Sequence, residues 1–136
     1  MKHPAPNPAG TAAAHWEAAR EGRLALPYCT PCRRFQWPVR ASCLQCGGKL
    51  EWREASGQGR IAAYSIVRRA VNRELEPDAP YAIAFIELVE GGRLFANVVG
   101  SNPEALRVGL AVRCRFEPAL DSTLSVPVFE LTGTTA

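Results

Sequence analysis

The chain has two textures. Beyond residue 59, short apolar runs rich in β-branched and aromatic residues alternate with turn-forming breaks, while the first 58 residues show no such repetition. Residues 60–68, 81–89, 93–99, 110–117 and 126–131 read as five strands. Glu90-Gly91-Gly92 is a hairpin turn between the second and third, and 103–109 fits a short helical link between the third and fourth. Five strands with a helical link after the third is the order of an OB-fold barrel. Upstream, 11–23 has helix formers, with Thr11 as a possible N-cap and Gly22 near the stop. Trp16 and Ala19 share a face with Arg23, and Glu17 and Glu21 mark the other.

The second and third strands carry an anomaly. YAIAFIELV and LFANVV are apolar at both strand parities, with only Glu87 and Asn97 interrupting. A small barrel buries one face of each strand, so the outer face should turn polar. A cover is therefore expected, either the amino-terminal part of this chain or another subunit. Ile83, Phe85, Phe95 and Val98 are the candidate partner-interface residues.

Between the helix and the barrel lie Cys29-x2-Cys32 and, after a ten-residue gap, Cys43-x2-Cys46. Each pair turns two thiolates toward one point, and four thiolates fill the tetrahedral shell of a structural Zn²⁺. Pro31 stiffens the first turn and Gly47-Gly48 supplies permissive backbone after the second. Paired disulfides would need an oxidising compartment, and a redox Cys-x-x-Cys the strand–helix context of a thioredoxin unit. The expected organisation is a disordered leader (1–10), a helix (11–23), a zinc ribbon (24–58) with short strands at 24–26 and 49–52, and an OB-fold (59–136). The fold class is mainly β. Cys114 reads as a buried core thiol.

Composition narrows the function. Sixteen basic against 13 acidic residues leave a net charge of +3, and Lys2 and Lys49 are the only lysines. That is a poor footprint for a protein devoted to phosphate backbones. No signal-peptide pattern opens the chain and nothing approaches a membrane span; with thiols kept for metal, a cytoplasmic location is expected. No catalytic constellation assembles. His3 and His15 fall in the leader and the short helix, and Glu87, Glu90 and Glu117 sit at strand ends, where solvated or paired roles are the rule. A closed four-thiolate shell leaves no position to activate water. Arg33, Arg34 and Arg40 around Phe35 and Trp37 form the best ligand candidate, because guanidinium groups grip phosphates and rings stack on bases. The plainer account of that cluster is solubility and cation–π packing. Arg68, Arg69 and Arg73 form a second basic stretch, read as a solvated loop.

The segments HWEAAREGRL, YCTPCRRFQWPVRASCLQCGG, SGQGRIAAYSIVRR, PYAIAFIELVEGGRLFANVVG and LRVGLAVRCRFE together resemble the domain-of-unknown-function thirty-five family. In that family a rubredoxin-like zinc ribbon precedes an OB-fold, and the likeness spans 16–129. Arg33 stands where the first knuckle often carries glycine. The resemblance implies a non-catalytic accessory subunit of a thiolase-like enzyme, an aldolase or a hot-dog-fold enoyl-CoA hydratase, as in lipid or steroid degradation. It also implies that Arg33, Arg34, Phe35, Trp37 and Arg40 help enclose an acyl-CoA shared with the partner. A single-stranded nucleic-acid-binding module is the alternative, and a free-standing acyl-CoA carrier a third reading.

Overall fold

The computed structural model describes residues 3–69, 80–120 and 122–132, so Arg73 lies outside the described residues. Helix α1 (Ala13–Arg20) follows a 3-10 turn at Gly10–Ala12. Thr11 is inside that turn; Ala12 holds the N-cap position without a side-chain bond. At the other end the Gly22 and Arg23 N–H groups bond the Ala19 and Ala18 carbonyls at 3.0 and 2.9 Å, closing the helix as expected near Gly22. Among the described residues no helix is long and apolar enough to cross a membrane.

The ribbon is a three-stranded antiparallel sheet, with β1 (Leu24–Cys29) between β2 (Arg34–Phe35) and β3 (Glu51–Ala55). The barrel closes through β4 (Gln58–Val67), β5 (Tyr81–Leu88), β6 (Arg93–Val99), β7 (Ala111–Pro118) and β8 (Ser125–Leu131). Its strand order, β4-β5-β6-β8-β7, is that of an OB-fold. The link after β6 is a single 3-10 turn, Pro103–Ala105.

Strand alternation decides which side chains face in. On β5 Ala82, Ala84, Ile86 and Leu88 are buried, and on β6 Leu94, Ala96 and Val98. Val98 therefore points into the barrel and is no interface residue. Ile83, Phe85 and Phe95 belong to the outward rows. Phe85 and Phe95 face each other across the strands, rings 5.1 Å apart, and are 47% and 45% exposed. Neither the helix nor the ribbon covers this row; α1 packs on β1 and β8 instead.

The ribbon and the barrel share one core. Leu24, Leu26, Phe35 and Ala55 cluster with Ile61, Ile86, Leu94, Val112 and Phe129. The ribbon alone could bury little apolar surface, and this continuity lets it use the barrel's interior. The seam is a backbone contact: the Phe35 N–H bonds the Gly91 carbonyl at 3.1 Å. Gly92 has φ 97°, and a Cβ there would overlap the Phe35 backbone. A second tie comes from Glu90, whose carboxylate accepts from the Ser56 N–H at 2.6 Å and the Ser56 hydroxyl at 3.2 Å.

Within the leader, expected to be disordered, His3 is anchored. His3 is buried; its Nε2–H donates to the Glu117 carboxylate at 2.7 Å, and its carbonyl accepts from Leu120 N–H at 2.8 Å. Burial alone would raise the Glu117 carboxyl, but His3 and Arg115 outweigh it and hold it below the usual range. Arg68 pairs with Glu104 at 2.7 Å on the surface.

Gly92→Ala should destabilise the protein by about 2 kcal/mol or more, because strain and overlap fall on the same position. Urea unfolding of the two proteins measures this, and unchanged stability would show that the seam gives way freely.

Candidate metal centre and adjoining groove

The four cysteines converge. Cys29 and Cys46 sulfurs lie 3.5 Å apart, Cys32 and Cys43 sulfurs 3.8 Å, and all four sit within 4.8 Å of one another. Sulfurs at the corners of a tetrahedron around a metal bound at about 2.3 Å would be about 3.8 Å apart, so the cage fits such an ion. The separations are too long for disulfides, which need about 2.05 Å.

The two knuckles are built alike. The Arg33 N–H bonds the Cys29 carbonyl at 2.8 Å, and the Gly47 N–H bonds the Cys43 carbonyl at 2.9 Å. Both residues follow the second cysteine of their pair, and both are left-handed, with φ 56° at Arg33 and 71° at Gly47. Glycine adopts this conformation without cost, whereas a residue with a Cβ is strained there. The departure noted at Arg33 is thus a strained first knuckle with the geometry of the second.

Backbone and side-chain donors gather on one sulfur. Gln36 donates its carboxamide N–H to Cys43 Sγ at 2.9 Å, and the Gln45 N–H approaches the same sulfur at 3.4 Å. Cys43 is drawn down to about 6, by the Cys46 backbone N–H most of all, then by Gln45 and Gln36 against the cost of burial. Cys32 is pushed up to about 12, first by its hydrogen bond with Cys29 and then by burial. Cys114, half-buried against the core, is pushed up to about 12 by burial.

Beside the cage, Arg34, Phe35, Gln36, Trp37 and Arg40 line an open groove of about 240 Å³ with Leu44, Gln45 and Arg93. Four of the five candidate ligand residues therefore meet. Arg33 does not join them; with Cys32, Glu87 and Gly91 it lines an adjoining hollow that shares Arg34 and Arg93 with the groove. The cation–π contact in the ribbon belongs to Arg53, 4.3 Å over the Tyr28 ring, rather than to the groove arginines.

Three contributors were not singled out from the sequence for these roles. Arg93 arrives from the barrel because the Gly91–Gly92 turn seats β6 against the ribbon. Gln36 carried no signal beyond its place between Phe35 and Trp37. His15, 1% exposed, donates Nδ1–H to the Ala25 carbonyl at 2.8 Å, its ring 4.5 Å from Trp16 and 4.9 Å from Trp37. Burial lowers its pKa, opposed by the Ala25 bond, so the ring is a neutral wedge between the helix and the groove's indole.

Known proteins match this architecture along most of the chain. The family described as the ChsH2 rubredoxin-like zinc ribbon domain matches residues 16–52, and the ChsH2 C-terminal OB-fold domain matches 52–117. A probable enoyl-CoA hydratase alpha subunit of Thermomonospora curvata is 34% identical over 85% of this chain, which spans only 36% of that protein. A DUF35 domain-containing scaffold protein of Methanocaldococcus jannaschii is 38% identical over 65% of this chain and 63% of its own length. Among solved structures, a chain of an Ltp2-ChsH2(DUF35) aldolase superposes with a TM-score of 0.78 at 31% identity, covering 93% of this chain and 98% of that one.

Arg33→Gly should stabilise the ribbon by about 0.5–1 kcal/mol, since it removes the left-handed strain at some cost in chain entropy. Thermal unfolding checks the sign, and a lower melting temperature would mean that the Arg33 side chain contributes more than its backbone costs.

Proposed function

The chain belongs to the ChsH2-type DUF35 family, in which a rubredoxin-like zinc ribbon is joined to an OB-fold, and from that membership we propose that it is a non-catalytic accessory subunit of an acyl-CoA-processing enzyme. Its partner is a thiolase-fold acyl transferase or aldolase, or a hot-dog-fold enoyl-CoA hydratase, in the cytoplasm. The names of an aldolase complex and of a hydratase subunit among its relatives support both partner classes.

The observation that carries this reading is the uncovered aromatic row on β5 and β6. Phe85 and Phe95, flanked by Ile83, form an apolar strip that nothing else in the described chain packs upon, and such strips mark partner surfaces. The row continues into the groove. Arg93 and Phe95 are two residues apart on one strand and on one face, about 7 Å from each other. A protein seated on Phe95 would reach the groove's edge at Arg93.

The groove offers Arg34, Arg40 and Arg93 for phosphate and Trp37 for a flat ring, the two demands of a coenzyme A nucleotide end. At about 240 Å³ and open, it holds part of such a ligand and leaves the rest to the partner. The cage ion is Zn²⁺ in a structural role, held by Cys29, Cys32, Cys43 and Cys46, since a closed shell of thiolates fits that ion. The nucleic-acid alternative finds rings on β5 and β6, but the charges beside them, Arg60, Glu87 and Arg93, leave only a single net positive charge. A strand-tracking groove needs more cation than that.

Coexpressed with its catalytic partner, the chain should co-purify in fixed stoichiometry and be required for partner solubility or activity. The double change Phe85→Glu, Phe95→Glu should weaken the complex about 30-fold or more. A partner soluble and fully active alone would overturn the reading. Metal analysis of the native protein should find one zinc per chain, and Cys43→Ser should lose it and unfold the ribbon. Freshly purified protein without zinc would overturn the ion's assignment.

A further inference from the structure

The cage and the groove touch through one side chain. Gln36 is 9% exposed, and it lines the groove while its Nε2–H points away from it onto Cys43 Sγ at 2.9 Å. A carboxamide at a groove wall can satisfy itself with water, so an inward N–H aimed at sulfur is a specific commitment. Among the described residues it is the one side-chain N–H donated to a cage sulfur; the other donors are backbone N–H groups, among them Gln45 and Gly48 at 3.4 Å.

The bond needs the sulfur in its place: metal binding fixes Cys43 Sγ among the other three cage sulfurs, and an N–H aimed at a metal-bound thiolate is a charge-assisted hydrogen bond. The backbone around Gln36 carries the effect outward. Its own N–H bonds the Pro27 carbonyl at 2.9 Å, Phe35 before it is locked to Gly91, and Trp37 after it rests against the His15 ring. The segment is anchored on both sides, and among the described residues the Gln36 side chain ties it to the second knuckle's cysteines.

We propose that Gln36 is a positioning residue that couples the metal cage to the groove: the loaded cage holds its carboxamide, and the carboxamide holds the Phe35–Trp37 wall in its ligand-binding place. Coupling of this kind is reciprocal, so a ligand seated on the wall slows loss of the metal. That last consequence rests on the acyl-CoA reading of the groove; the link between cage and wall does not.

The experiment uses the full chain with Gln36→Leu and Gln36→Met, neither of which has a donor; the unbranched methionine side chain covers the case in which leucine does not fold. Three readouts follow. In the cobalt-substituted protein the thiolate-to-cobalt charge-transfer bands should move to lower energy, because a sulfur relieved of its N–H donor is more electron-rich. Zinc transfer to a chelator should become about tenfold faster or more, the usual scale for an outer-shell partner of a metal ligand. With fluorotryptophan labelling, the Trp37 resonance should shift while that of Trp52, out on β3, stays in place. Unchanged cobalt bands together with zinc transfer within a factor of two of the parent would overturn the proposal, as would an unmoved Trp37 signal. Acetyl-CoA, which has no free thiol to compete for the metal, should slow zinc transfer when added to the parent protein in complex with its catalytic partner. Should it fail to do so while the cobalt and Trp37 signals shift, the acyl-CoA reading falls and the coupling stands.

Discussion

Everything in this molecule that concerns function hangs on a contact in which one side has no side chain. The turn at Gly91–Gly92 lies directly against the backbone of Phe35, and the Phe35 N–H bonds across to Gly91. Because the two backbones meet at that distance, the Phe35 ring enters a core shared with the barrel, and the ribbon is not left to fold on its own few apolar residues. The same approach brings Arg93 beside Arg34. Glu90, one residue before the glycines, receives the Ser56 N–H, so the hairpin also fixes the chain where it passes from ribbon to barrel. A single turn thereby sets the relative placement of the cage, the groove and the aromatic row.

Much of the fold was legible because its signals are local. Alternation and turn residues placed all five barrel strands within two residues of their ends, and the cysteine spacing placed both knuckles. The short ribbon strand at Arg34–Phe35 escaped notice, since two residues show no period. The expected helix, 11–23, overshoots at both ends: Thr11 and Ala12 belong to a 3-10 turn although alanine favours the helix there, and α1 stops at Arg20, short of Gly22. Facing was harder: β5 and β6 are apolar at both parities, so hydrophobicity alone could not say which row pointed out. A signal was nonetheless present. Residues three apart on a strand lie on opposite faces, so Phe95 and Val98 could not both be exposed, and Val98 is the one inside.

The site was legible only where its residues are neighbours in sequence. Arg34, Phe35, Trp37 and Arg40 come from one short segment and do converge, while Arg33, one step earlier and left-handed in its backbone, lines the adjoining hollow instead. Laying Cys29–Arg33 over Cys43–Gly47 exposes that conformation without any structure, since the glycine of the second knuckle stands at Arg33's position in the first. Arg93 and His15 reach the groove region through contacts tens of residues away in the chain, which no local pattern encodes. Gln36 is adjacent in sequence, yet its role follows from a sulfur seven residues on that faces it only when the ribbon is folded.

On the accessory-subunit reading, an open groove beside an uncovered aromatic row is a physically consistent pair of features. In open water the groove's guanidinium groups are screened, and each exposed contact with a phosphate contributes little. A partner packed on Phe85 and Phe95 would exclude water next to Arg93 and lower the local dielectric, so the same charges would act more strongly on the same ligand. On the accessory-subunit reading, affinity for the acyl-CoA is thus a property of the complex. The free chain need supply only correct placement, and that placement is what the glycine turn, the His15 wedge and the thiolate cage maintain.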